Sequence, residues 1–143
     1  MDKHNNNSIV IIDTNVIVSA FLSTKQDSAT VLVLELLYSQ KIRIAYSEDI
    51  IKEYIDVLNR DKFQFDKAEI ERFIGFIIEF GIKIKENKSN VVLNDKKDQP
   101  FYDLKCTIDN AILITGNIKH FAIEAKIVTP HDFMNWYNDK TYS

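Results

Sequence analysis

The chain has 143 residues, of which 45% are apolar and 27% charged, and a formal net charge of -3. That length suits one domain with a substantial core, and the balance is that of an ordinary globular protein. The net charge excludes a surface built throughout to grip phosphates, and the lone Cys106 excludes an internal disulfide and a cysteine-based zinc pattern.

The opening "MDKHNNNS" is polar and lacks the apolar stretch of a secretion signal. No apolar run reaches membrane-spanning length, so a cytoplasmic location with no membrane association is expected. Residues 1–8 read as a flexible polar N-terminus, 9–138 as one folded domain and 139–143 as a polar tail. Ile9–Ile12, four consecutive β-branched residues, reads as a strand buried on both faces. Ala29, Leu32, Val33, Leu36 and Leu37 share one face of a helix. Ile42–Tyr46 is a second strand. Ser47 is placed to cap a helix that runs to about Asn59, with Glu48 and Asp49 in its first turn. Asp66, with Glu69 three residues on, opens another helix that closes near Gly81. Ile82–Ile84 is a weak third strand. Pro100 marks the start of a helix capped by Asp98. Ala111–Thr115 is a fourth strand, Ile127–Val128 a stub, and His131–Tyr137 a last short helix.

Strands alternating with helices predict an α/β fold: a single-domain, mostly parallel sheet sandwiched by helices. Such sheets bind ligands beyond the carboxyl ends of their strands. Asp13 follows the first strand and Asn117 the fourth. The chain has no phosphate-cradling loop, no glycine-rich dinucleotide turn and no nucleophile elbow. Position 15 is Asn, where a phosphoaspartyl hydrolase would have a second Asp, and the acidic pair of a response-regulator receiver is missing. What remains is a set of acids in separate segments: Asp13, Glu53, Asp98 and Asp103. Carboxylates that converge repel one another unless a hard cation neutralises them, and Mg²⁺ and Mn²⁺ suit an oxygen-rich site.

Each acid also has a plain structural reading. Asp13 could cap a helix starting at Val16, Glu53 could be solvated at the margin of an apolar face, and Asp98 could be only an N-cap. Asp103 lies five residues on, roughly 140° around an ideal helix, and shares a pocket with Asp98 only if Asp98 precedes the regular turns. Thr14 and Ser19 are equally suited to binding nearby backbone and to touching substrate. His120 and His131 read as surface or helix-end residues. Phe121, Phe133 and Trp136 read as core or interface. The lysines at 83, 85, 88, 96 and 97 read as a solvated face that a polyanion could also use.

In order along the chain, "IVIIDTNVIVSAFL", "SEDIIKEYIDVL", "DKKDQPFYD" and "AILITGNIKHF" resemble the four signatures of the PIN domain, a metal-dependent nuclease module. "IVTPHDFMNW" resembles the ending of its VapC-like bacterial branch, the toxins of toxin–antitoxin pairs. The resemblance implies a parallel sheet flanked by helices, an acidic pocket for one or two Mg²⁺ or Mn²⁺ ions, and hydrolysis of RNA. It makes Asp13, Glu53 and Asp98 metal ligands, often with a further acid near Asp103, and has Asn15, Thr115 and Asn117 line the pocket. Asn117 departs from the family pattern, where Asp is usual. A cognate antitoxin and a homodimer are implied in the same way. The alternative is a catalytically weak scaffold that acts only by binding RNA or protein.

Overall fold

β1 (Ser8–Ile12) is the centre of the molecule, because Val10, Ile11 and Ile12 are fully buried in succession. Consecutive strand residues point to opposite faces, so both faces of the sheet are covered at this position. The computed structural model describes residues 8–121 and 126–142. Most of the polar N-terminal segment, residues 1–7, therefore lies outside the described residues.

After β1 the chain forms α1 (Thr14–Leu22) and α2 (Ala29–Tyr38), then β2 (Ile42–Tyr46) and α3 (Glu48–Leu58). α4 (Lys67–Phe80) leads into β3 (Ile82–Lys83), and α5 (Gln99–Thr107) into β4 (Ile112–Ile114). A single 3-10 turn (Ile118–His120) follows, then β5 (Ile127–Val128) and α6 (Pro130–Tyr142). The strands form one sheet in the order β3-β2-β1-β4-β5, and every pairing is parallel. The chain winds outward from β1 through β2 to β3, then returns to lay β4 on the other flank of β1. The crevice between β1 and β4 is thus the point where the winding reverses, the usual ligand position in such sheets.

Local signals explain most element ends. Ser47 Oγ accepts the Ile50 amide at 3.3 Å and Asp66 Oδ1 the Ala68 amide at 3.1 Å, as N-caps do. At the end of α4 a Cβ on Gly81 would sit 2.5 Å from the Ile77 carbonyl oxygen, so no other residue fits without a shift. β3 is shorter than Ile82–Ile84, although the Ile84 amide still bonds the Tyr46 carbonyl at 2.8 Å. α6 extends past the expected Tyr137 to Tyr142. Polar residues can continue a helix when side chains one turn apart support each other, and Lys140 Nζ lies 4.9 Å from the Trp136 ring centroid. Residues 139–142 are accordingly helical. Among the described residues, no helix is long and apolar enough to cross a membrane.

Candidate functional site

The register of β1 on β4 builds the centre of the site. Ile12 pairs with Ile114, so the residues just beyond them, Asp13 and Thr115, emerge side by side. Asp13 Oδ2 accepts the Thr115 hydroxyl at 2.7 Å and the Asn15 amide at 3.1 Å. Asn15 Oδ1 in turn accepts the Gly116 amide at 3.1 Å, and Thr115 Oγ1 accepts the Asn117 amide at 3.0 Å. Asp13 occupies the N-cap position of α1, yet its side chain makes no capping hydrogen bond. A capping role therefore does not account for a carboxylate that is only 4% exposed. Burial pushes its pKa up to about 6 against the Thr115 hydrogen bond, and the Asp98 carboxylate adds to the rise.

Two other segments bring acids to the same place. Asp13, Glu53 on α3, and Asp95 and Asp98 ahead of α5 line one cleft of about 350 Å³. Asp98 is the N-cap residue of α5, but its carboxylate makes no cap bond and instead meets His120 Nδ1 at 3.0 Å. Ligand atoms of Asp95, Asp98 and His120 all lie within 4.8 Å of one another. Burial is the main cause of the raised Asp98 pKa, with Asp95 adding and His120 opposing. Burial likewise raises Glu53, against the pull of Lys97 and Arg60. Asn15 and Asn117 reach the cleft, whereas Thr115 is fully buried and acts on Asp13 from behind.

Asp103 is not among the cleft residues. It is buried, and its Oδ1 accepts the Gln99 amide at 2.8 Å and the Ser89 backbone amide at 3.2 Å. It belongs to a stripe on α5 that fastens the preceding segment. Gln99 Oε1 accepts the Leu93 amide at 2.7 Å, and Thr107 Oγ1 the Asn87 amide at 2.9 Å. The four-residue spacing puts 99, 103 and 107 on one face, while Asp98 lies on another. Sequence reasoning did not single out Asp95, Arg60 or Phe63, read His120 as a surface or helix-end residue, and left Lys97 on a solvated face that a polyanion could use; all five line the cleft. Asp95 had a signal, since it lies three residues before Asp98 in "DKKD".

The residues fit a divalent cation. Burial opposes the charge of Asp13, Glu53 and Asp98, and Asp95 adds a fourth carboxylate beside them, a gathering that suits a hard oxygen-seeking ion. Thr14 Oγ1, also on the cleft, is buried and has no hydrogen-bond partner among the described residues.

An acidic cleft at the reversal point of a parallel α/β sheet places a site suited to a hard cation where such sheets bind their ligands. A family model described as "PIN domain" matches residues 9–119, and the chain belongs to that family. The match spans β1 to β4 and includes every carboxylate of the cleft. PIN domains are in general nucleases that use divalent metals. Comparison with curated proteins found no match.

Proposed function

We propose that this PIN domain is a Mg²⁺- or Mn²⁺-dependent endoribonuclease that hydrolyses RNA phosphodiesters. The observation that carries this reading is the convergence of Asp13, Glu53 and Asp98, from three separate segments, on one cleft with Asp95. Those carboxylates are the ligand set, and the unpartnered Thr14 Oγ1 is a further oxygen donor. When bound, the cation supplies an activated water and neutralises charge on the phosphoryl group.

The chain's own residues supply the rest. Thr115 and Asn15 hold Asp13 in one orientation, and His120 does the same for Asp98. Arg60 and Lys97 add positive charge to the cleft, which lets a polyanion approach an acidic floor. Asn117 lines the same space with an uncharged amide.

The toxin role, the cognate antitoxin and the homodimer rest on the resemblance to the bacterial toxin branch, whose ending "IVTPHDFMNW" resembles, and a cytoplasmic setting is part of the same proposal. Calorimetric titration with Mn²⁺ tests the catalytic reading. Uptake by the wild type that is lost in Asp13→Asn supports it. No carboxylate-dependent uptake would leave a binding scaffold. Expression of the protein alone tests the toxin role: growth arrest that disappears in Asp13→Asn supports it, and equal arrest by the variant contradicts catalysis as the cause.

A further inference from the structure

One wall of the cleft has a different chemistry from its acidic floor. Residues 59–66 connect α3 to α4 in a tight turn. The Phe63 amide donates to the Arg60 carbonyl at 3.1 Å, Gln64 Nε2 donates to the Asp61 carbonyl at 2.7 Å, and Gln64 adopts a left-handed φ of 54°. This turn sets the half-buried Phe63 on the cleft beside Arg60.

The Phe63 ring is braced from the core outward. It stacks on Phe65 with centroids 5.0 Å apart and an interplanar angle of 6°. Phe65 meets Phe21 edge-on at 5.1 Å, and Phe21 meets the fully buried Phe73 at 5.8 Å. Cations surround the outer end of this ladder. Lys62 Nζ lies over the Phe63 ring, 5.1 Å from its centroid, on an exposed side chain that a stacking base would displace toward its phosphate, and Arg60 is oriented by Asp56 at 3.1 Å. A flat, rigid apolar ring beside basic side chains, in the same cleft as hydrolytic carboxylates, matches what single-stranded nucleic acid presents: a base face with phosphates on either side.

We propose that Phe63 is the platform on which one unpaired nucleobase stacks next to the scissile phosphate, while Arg60 and Lys62 contact the flanking phosphates. The cleft then takes single-stranded RNA and rejects continuous duplex, in which both faces of each base are already covered. This inference rests on the nuclease reading above.

The test is fluorescence anisotropy in a cleavage-silent Asp13→Asn background with Mg²⁺. The probes are labelled single-stranded RNA 10-mers, a matched set with one abasic position each, and the blunt duplex. Phe63→Leu keeps apolar contact with Phe65 but has no aromatic face, and it should weaken single-strand binding about tenfold. Phe63→Trp should restore binding. At one abasic position the parent should lose the same factor, and Phe63→Leu should lose no more. The abasic series on the parent needs no substitution at Phe63, so it holds even if the leucine variant misfolds.

Unchanged binding by Phe63→Leu, equal binding at every abasic position, or duplex binding as tight as single-strand binding would each overturn the proposal. Metal-dependent cleavage by the wild type, measured in parallel, separates the two readings. If cleavage persists while the Phe63 effects are missing, stacking alone falls. If the wild type shows no metal-dependent cleavage, the nuclease reading falls and takes the platform with it.

Discussion

Asp13 combines deep burial with a charge that its own hydrogen bonds only partly offset. Its carboxyl titrates at about 6 in the metal-free fold, against a reference of 3.8. The sign follows from the unfolded chain, which releases this proton first. Stability from Asp13 is full below about pH 4, falls as the pH rises toward 6, and stays lost above that, by roughly 3 kcal/mol in all. Asp13→Asn should therefore be more stable than the metal-free wild type at pH 7.5 and nearly equal to it at pH 4. Thermal melts in EDTA across that range check this, and a gap that does not widen between pH 4 and 6 would contradict it. Asn117 lends itself to a second test at the same scale. An amide oxygen can bind a hard cation but carries no net charge. Asn117→Asp should lower the half-saturating metal concentration for cleavage by about tenfold, equivalent to about 1.4 kcal/mol, and reduce metal-free stability through carboxylate repulsion. If instead the metal midpoint is unchanged and the maximal rate falls, the Asn117 NH₂ group acts as a donor to substrate or to a carboxylate, which an ionised Asp could not be.

α5 and the segment before it work as a unit that aims two of the four acids. Gln99, Asp103 and Thr107 bind backbone amides of residues 87–93, and the same stretch of chain then delivers Asp95 and Asp98 to the cleft. Asp103 is on this account a positioning residue. Asp103→Asn keeps an acceptor oxygen and should retain most activity. Asp103→Ala should speed amide exchange across residues 87–93 and lower activity together with apparent metal affinity. Loss of activity in Asp103→Asn without faster exchange would instead favour a ligand role. The sequence made much of this layer legible. The β-branched run of β1, the Ser47 and Asp66 caps and the Gly81 stop are local signals, and those elements lie close to where their residues put them. Asp13 stood out because charge beside an apolar run is costly to bury alone, whereas Glu53 and Asp98 stood out through the signatures that resemble those of the PIN domain. The direction of Asp103 depends on helix phase, which spacing alone left open. His120 reaches Asp98 only because β4 lies beside β1, a non-local pairing. Phe63 reaches the cleft through a turn whose left-handed position is Gln64 rather than the glycine or asparagine that would mark it.

Across the whole molecule, the sheet order sets the chemistry. Placing β4 against β1 rather than beyond β3 brings residues 13, 98 and 120 into one crevice. A cation bound there links α1, α3 and the segment ahead of α5, so it should stabilise the entire fold by mass action. At a metal concentration one hundred times the dissociation constant the gain is about 2.7 kcal/mol, a rise in Tm on the order of 10 °C. A melt in saturating Mn²⁺ that matches the melt in EDTA would contradict this. The most direct test of the central claim is cleavage of a labelled single-stranded RNA by the purified protein in EDTA, after restoration of Mn²⁺, and with Asp13→Asn in Mn²⁺. Cleavage should be abolished by EDTA, return with Mn²⁺, and fall at least about a hundredfold in Asp13→Asn. Undiminished cleavage in EDTA, or a wild-type rate from Asp13→Asn, would show that the carboxylate cleft is not the catalytic site.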